Sequence, residues 1–156
     1  MSEIQRTGQW NPGGGRWLEV IAVGDVLSYQ RPTKTSAPVI TLRDGSSWCR
    51  IYTTPGTLYY REVPSRTDNG RLYTYEVKGW SPDDNPEKGM ALDTLLATER
   101  VLVRFCDNKG LQRLAGTPDE FLLFSYEFDT QSDVPDQRGY TITVSGSTTT
   151  RAPYAA

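Results

Sequence analysis

TLYYREVPSRTDNGRLYTYEVKGW, residues 57–80, is the stretch on which the fold turns. Two runs rich in β-branched and aromatic residues, TLYYREV and RLYTYEVKGW, flank a polar segment ending in Asn69-Gly70. That dipeptide suits the positive φ values of a tight hairpin turn. In the second run Leu72, Thr74 and Glu76 alternate with Tyr73, Tyr75 and Val77, the period of a half-buried strand. Tyr59, Tyr60, Tyr73 and Tyr75 read as cross-strand pairs around the turn.

Working outward, the same pattern recurs. RWLEVIAVGDVLSYQ from Arg16 reads as strand. VITLRDGSSWCRIYTT reads as two strands around Asp44-Gly45, with Trp48, Arg50 and Tyr52 on one face and Cys49, Ile51 and Thr53 on the other. VLVRFCDNKGLQRLAG is a third hairpin, in which Val101, Val103 and Phe105 share a side. EFLLFSYEFDT begins with a near-continuous apolar run, which predicts a strand covered on both faces. In GYTITVSGSTTT, read as the last strand, Tyr140, Ile142 and Val144 alternate with threonines. A single helix is predicted over about 89–98, with Met90, Leu92, Leu95 and Leu96 as its apolar stripe and Asp93 and Glu99 outside. At about three turns it needs a sheet to hold it.

The fold class is therefore mainly β, an antiparallel β-sandwich or barrel with one short packed helix. Residues 1–15, ending in three glycines, read as a flexible N-terminal arm; 16–145 as a single β domain; and 146–156, small and unpatterned, as a flexible C-terminal tail. A chain of 156 residues suits one domain.

Composition excludes several function classes. With 17 basic and 19 acidic residues there is no electrostatic footprint for nucleic acid or an anionic membrane. No apolar run approaches the roughly 20 residues of a membrane helix. The absence of histidine removes the usual general base, the commonest transition-metal ligand and the usual pH switch. Cys49 and Cys106 lie in strand-like runs and read as buried, reduced thiols; with no secretory segment in MSEIQRTGQW, the cytoplasm is the expected starting compartment.

Four candidate sites remain. Asp129, Asp133 and Asp136 share one connection, but their spacing does not match a calcium loop, so they read as a solvated turn with no metal. Glu19, Glu62, Glu76, Asp93 and Glu127 could be paired on paper as glycosidase carboxylates, without specificity. Trp10, Trp17, Trp48 and Trp80, with nine tyrosines, offer stacking faces and keep a glycan-binding module as the alternative function. Gly13–Gly15 lacks the following helix and Lys-Ser/Thr of a phosphate loop. No catalytic residue and no cofactor is assigned.

The C-terminal half carries one resemblance. Its DNKG turn, the segment from Arg113 to Gly116, the connection from Thr130 to Asp133 and RGYTITVSG follow one another in an order that resembles small prophage-encoded virion proteins of Bacteroides-type genomes. The resemblance implies a non-enzymatic phage structural protein, tail or tail-tube-like, that assembles with copies of itself and other virion proteins into rings or tubes. It would be made in the cytoplasm and end in the virion. Within such an assembly Asp129, Asp133 and Asp136 are expected at a subunit boundary, paired with Arg50, Arg61 or Arg104 of a neighbour, and edge strands are expected to accept added strands.

Overall fold

A computed structural model describes residues 4, 8, 11–133 and 137–155. Its strands are β1 (Gly15–Ala22), β2 (Val26–Gln30), β3 (Val39–Leu42), β4 (Cys49–Ile51), β5 (Tyr59–Thr67), β6 (Gly70–Pro82), β7 (Arg100–Asp107), β8 (Gln112–Ala115), β9 (Leu122–Asp129), β10 (Gly139–Thr148) and β11 (Tyr154–Ala155). Among the described residues there is one α-helix, α1 (Pro86–Thr98). All strand pairs are antiparallel, and the architecture is mainly β, barrel-like, as the sequence predicts.

One sheet of nine strands runs β11-β8-β7-β9-β10-β6-β5, with β1 on the other edge of β7 and β4 beyond β1. It rolls so that alternate residues from nearly every strand meet in one core, among them Leu18, Val20, Tyr75, Val77, Val103, Phe105, Phe124, Ile142 and Val144. A small β2–β3 sheet lies on the outside of β1 and β7, where Ile21, Val26 and Leu102 form a second cluster. The strand covered on both faces is thus β7, not β9. In β9 burial alternates, and Leu123, Ser125 and Glu127 face outward.

The β5–β6 hairpin forms as expected, but its turn is centred one residue earlier than Asn69-Gly70, with Thr67 opposite Gly70. Its central residues are Asp68 and Asn69, neither with positive φ; only Gly70, at +124°, takes that role. The Asp44-Gly45 turn is present, with Gly45 at φ +81°, but it does not close a hairpin. β3 pairs with β2, and β4 pairs with β1. The chain reverses at Asp44-Gly45 as the sequence predicts, while the partners are decided by where the two short strands bury their apolar sides.

The helix starts earlier than expected because Asn85 caps it, accepting a hydrogen bond from Lys88 N at 2.8 Å, and Pro86 opens it. Its stripe is narrower too. Leu92 is buried and Leu95 partly so, but Met90 and Leu96 are exposed, because the apolar side of α1 packs on the sheet mainly along β9.

The expected C-terminal tail is corrected. Gly146–Thr148 continue β10, Ala152 is buried, and β11 pairs with β8. Tyr75 OH donates to Thr150 O at 2.9 Å, and Leu114 N to Pro153 O at 3.0 Å. A two-residue strand carries no readable period. At the other end most of the expected arm lies outside the described residues, but its last glycines are tied down. Asn108 Nδ2 donates to Gly13 O, Asn108 N to Gly14 O, and Gly15 N to Leu58 O. A Cβ on Gly15 would sit 2.5 Å from the Phe105 ring, so that glycine is a packing requirement. Cys49 is exposed, contrary to expectation, and Cys106 is buried; both are free thiols. No described helix is long and apolar enough to cross a membrane.

Candidate functional site: an arginine row on the outer sheet face

Strand alternation puts Trp17, Glu19 and Ile21 of β1 on the outer side of the sheet, opposite the core residues Leu18 and Val20. Glu19 is in register with Arg50 of β4 on one side and Arg104 of β7 on the other. Both arginines donate to the same oxygen, Glu19 Oε1, at 3.2 and 3.1 Å. The row is flanked by indoles. The Arg50 guanidinium lies 4.5 Å from the Trp17 ring centroid, and that of Arg104 lies 4.4 Å from the Trp48 ring. Two cations against one carboxylate leave this face positive. Arg104 Nε is buried without a hydrogen-bond partner. Tyr52, 66% exposed, follows β4 on the same alternation.

The sequence places Trp48, Arg50 and Tyr52 on one face, but it carries no signal that Glu19, 31 positions away from Arg50, joins them. That pairing exists only once β1 lies between β4 and β7.

The other expected contact residues lie apart from this row. Arg61 is exposed on β5, opposite Glu76. Asp129 ends β9, exposed, and its Oδ1 accepts from Gln131 N at 2.8 Å. Asp133 is exposed, and Asp136 lies outside the described residues. β9 pairs with β7 through Leu122 and Leu123, opposite Val101 and Arg100. From that junction Arg104 and Asp129 lie in opposite directions along antiparallel strands. The ten or so intervening residues, at roughly 3.3 Å each, separate them by about 30 Å. The acidic connection and the arginine row therefore cannot pair within one chain.

Among the described residues no group of three or more Cys, Asp or Glu is placed to hold a metal ion. Several of the carboxylates considered for hydrolysis have local partners. Glu62 accepts from Tyr60 OH at 2.9 Å and from Arg151 Nε at 3.0 Å, and Glu76 accepts from Tyr59 OH at 3.0 Å. Trp17 and Trp48, two of the expected sugar platforms, each carry a guanidinium on one face; Trp80 packs over Gly139; and Trp10 lies outside the described residues.

One reactive-looking pair was missed by sequence reasoning. Lys88 Nζ donates to Ser81 Oγ at 2.7 Å, the contact that a serine nucleophile and a lysine base would make. Burial pushes the Lys88 amine below its ordinary range, opposed by Asp83 and Asp84. Ser81, however, is only 1% exposed, and Lys88 Nζ also donates to Pro82 O. The pair fastens the start of α1 to the end of β6, out of reach of a substrate.

No protein-family model matches this chain, and no curated protein or solved structure matches it.

Proposed function

We propose that this chain is a non-enzymatic structural subunit, tail-associated in a phage particle, that assembles with copies of itself and other virion proteins into rings or tubes. The observation that carries this reading is the charge separation along the sheet. Asp129 and Asp133, exposed where the acidic connection leaves β9, lie at one end, and the Arg50–Glu19–Arg104 row lies about 30 Å away. Complementary patches at opposite ends of one molecule favour a head-to-tail contact, which closes into a ring or extends into a tube. Trp and Arg are also the side chains most often found at the energetic centres of protein interfaces.

The contact runs through side chains more than through added strands. The Leu58 carbonyl leaves the outer edge of the hairpin to reach Gly15 N, so residues 60, 62, 64 and 66 turn their backbone outward in the same phase. Pro64 has no N–H to offer there, which blunts β5 against strand addition.

The test is light scattering and negative-stain microscopy of the full chain across a salt series. Association that weakens as salt rises is expected, with rings or tubes at low salt, and the triple change Asp129→Ala, Asp133→Ala, Asp136→Ala is expected to abolish it. A wild-type chain that stays monomeric at every concentration sinks the proposal.

A further inference from the structure

Arg66 of β5 stands directly opposite Arg71 of β6. Like charges facing each other across a strand pair are destabilising. Neither guanidinium makes an ion pair or a hydrogen bond among the described residues. Alternation places the two on the concave side of the sheet. Tyr75 and Val77 of β6 face the core, their partners are Glu62 and Tyr60, and the next pairs outward on that side are Pro64–Tyr73 and Arg66–Arg71. The C-terminal segment brings a third arginine to the same place. Arg151 is held to Glu62 Oε2 at 3.0 Å, and Glu62 is held in turn by the Tyr60 hydroxyl. Ser65, Arg66, Arg71, Tyr73 and Arg151 line one open cavity with Glu62 at the mouth of the barrel.

We propose that this cavity binds an oxyanion with at least two acceptor oxygens, of the phosphate or paired-carboxylate class. Three guanidiniums against one carboxylate leave the cavity positive. Each guanidinium is a planar fork of donors that matches such oxygens two at a time. The ligand also supplies what the isolated hairpin lacks, a negative charge between Arg66 and Arg71. Glu62 is a positioning residue, aiming Arg151 into the cavity. The site is separate from the Arg50–Glu19–Arg104 row: as a small-anion site it is independent of the assembly reading, and as a seat for the acidic connection it replaces that row as the connection's partner. The anion has two possible sources, a small free ion or the acidic connection of a second copy.

The experiment is a ¹⁵N NMR titration of the full chain at constant ionic strength. One arm uses inorganic phosphate, the other a peptide spanning residues 127–138 of this chain, and sodium chloride is the control. Saturable shifts at Arg66, Arg71 and Arg151 are expected in at least one arm. The double change Arg66→Gln, Arg71→Gln is expected to weaken binding by about tenfold or more, the scale of one lost charge-assisted hydrogen bond. Lys34→Gln, which removes a positive charge from an exposed loop outside the cavity, is expected to leave binding unchanged. A response to phosphate alone assigns a small-anion site, and a response to the peptide assigns the acidic segment. The proposal falls if neither ligand exceeds the chloride control, or if Lys34→Gln weakens binding as much as the double change.

Discussion

At the scale of single residues, Glu19 decides whether two arginines on one sheet face are held or loose. Its side chain is largely buried, while Arg50 and Arg104 are 58% and 32% exposed, so the guanidiniums can rehydrate when the carboxylate is lost. Glu19→Gln is therefore expected to cost about 1–2 kcal/mol in a urea denaturation series, at the lower end for charge-assisted bonds because solvent screens the arginines. Tyr140 gives a prediction with pH. Its hydroxyl donates to Asp84 Oδ1 at 2.6 Å. That hydrogen bond, with burial second, pushes the phenol from 10.0 up to about 12. The fold thus favours the protonated phenol. The stabilisation is fully present below the ordinary value and is lost as pH rises from about 10 through about 12. Tyr140→Phe is expected to lose about 1 kcal/mol at neutral pH and to show a shallower fall in stability over that alkaline window, followed by denaturation midpoints at each pH.

At the scale of elements, α1 separates pattern from packing. Four apolar residues suggest a stripe, but of these only Leu92 is fully covered. Leu92→Ala is expected to cost about 2–5 kcal/mol, and Met90→Ala no more than about 0.5 kcal/mol, in parallel thermal or urea unfolding. Equal effects would mean that the helix docks on a different face. The same reasoning explains β9 and β7. An apolar run such as FLLF does not tell how many sides of a strand are covered, because the second layer comes from elements distant in sequence. Over β7 that layer is the β2–β3 sheet, and over β9 its outward residues stay exposed. The Asp44-Gly45 turn makes a related point. Turn chemistry reverses the chain, but it does not oblige the flanking strands to pair with each other.

At the scale of the whole molecule, the rolled sheet sets which groups meet solvent. Cys49 lies on a three-residue edge strand and is exposed, whereas Cys106 lies in the doubly covered β7. One thiol per native chain is therefore expected to react rapidly with a disulfide reagent, and the second only at the rate of unfolding; two fast thiols would contradict this packing. Rolling also defines the seam between β5 and the C-terminal segment, bridged by Arg151 and Glu62, and with it the cavity that gathers Arg66, Arg71 and Arg151. Arg66 and Arg71 face each other across one hairpin, but Arg151 comes from a stretch 80 residues further on, so no local motif announces the trio.

The sequence alone determined the class of this protein: antiparallel β with one helix, the inward sets Tyr75/Val77, Val101/Val103/Phe105 and Tyr140/Ile142/Val144, and the turns at Asn69-Gly70, though one residue off in register, and Asn108–Gly110. These follow from period-two alternation and from residue-level turn preferences, both local. Only the tertiary structure decided that β1 lies between β4 and β7, that residues 146–155 complete the sheet, that Glu19 gathers Arg50 and Arg104, and that the acidic connection lies at the far end. Those outcomes rest on pairings between residues far apart in the chain, where burial of one shared core, not any neighbour in sequence, selects the partner.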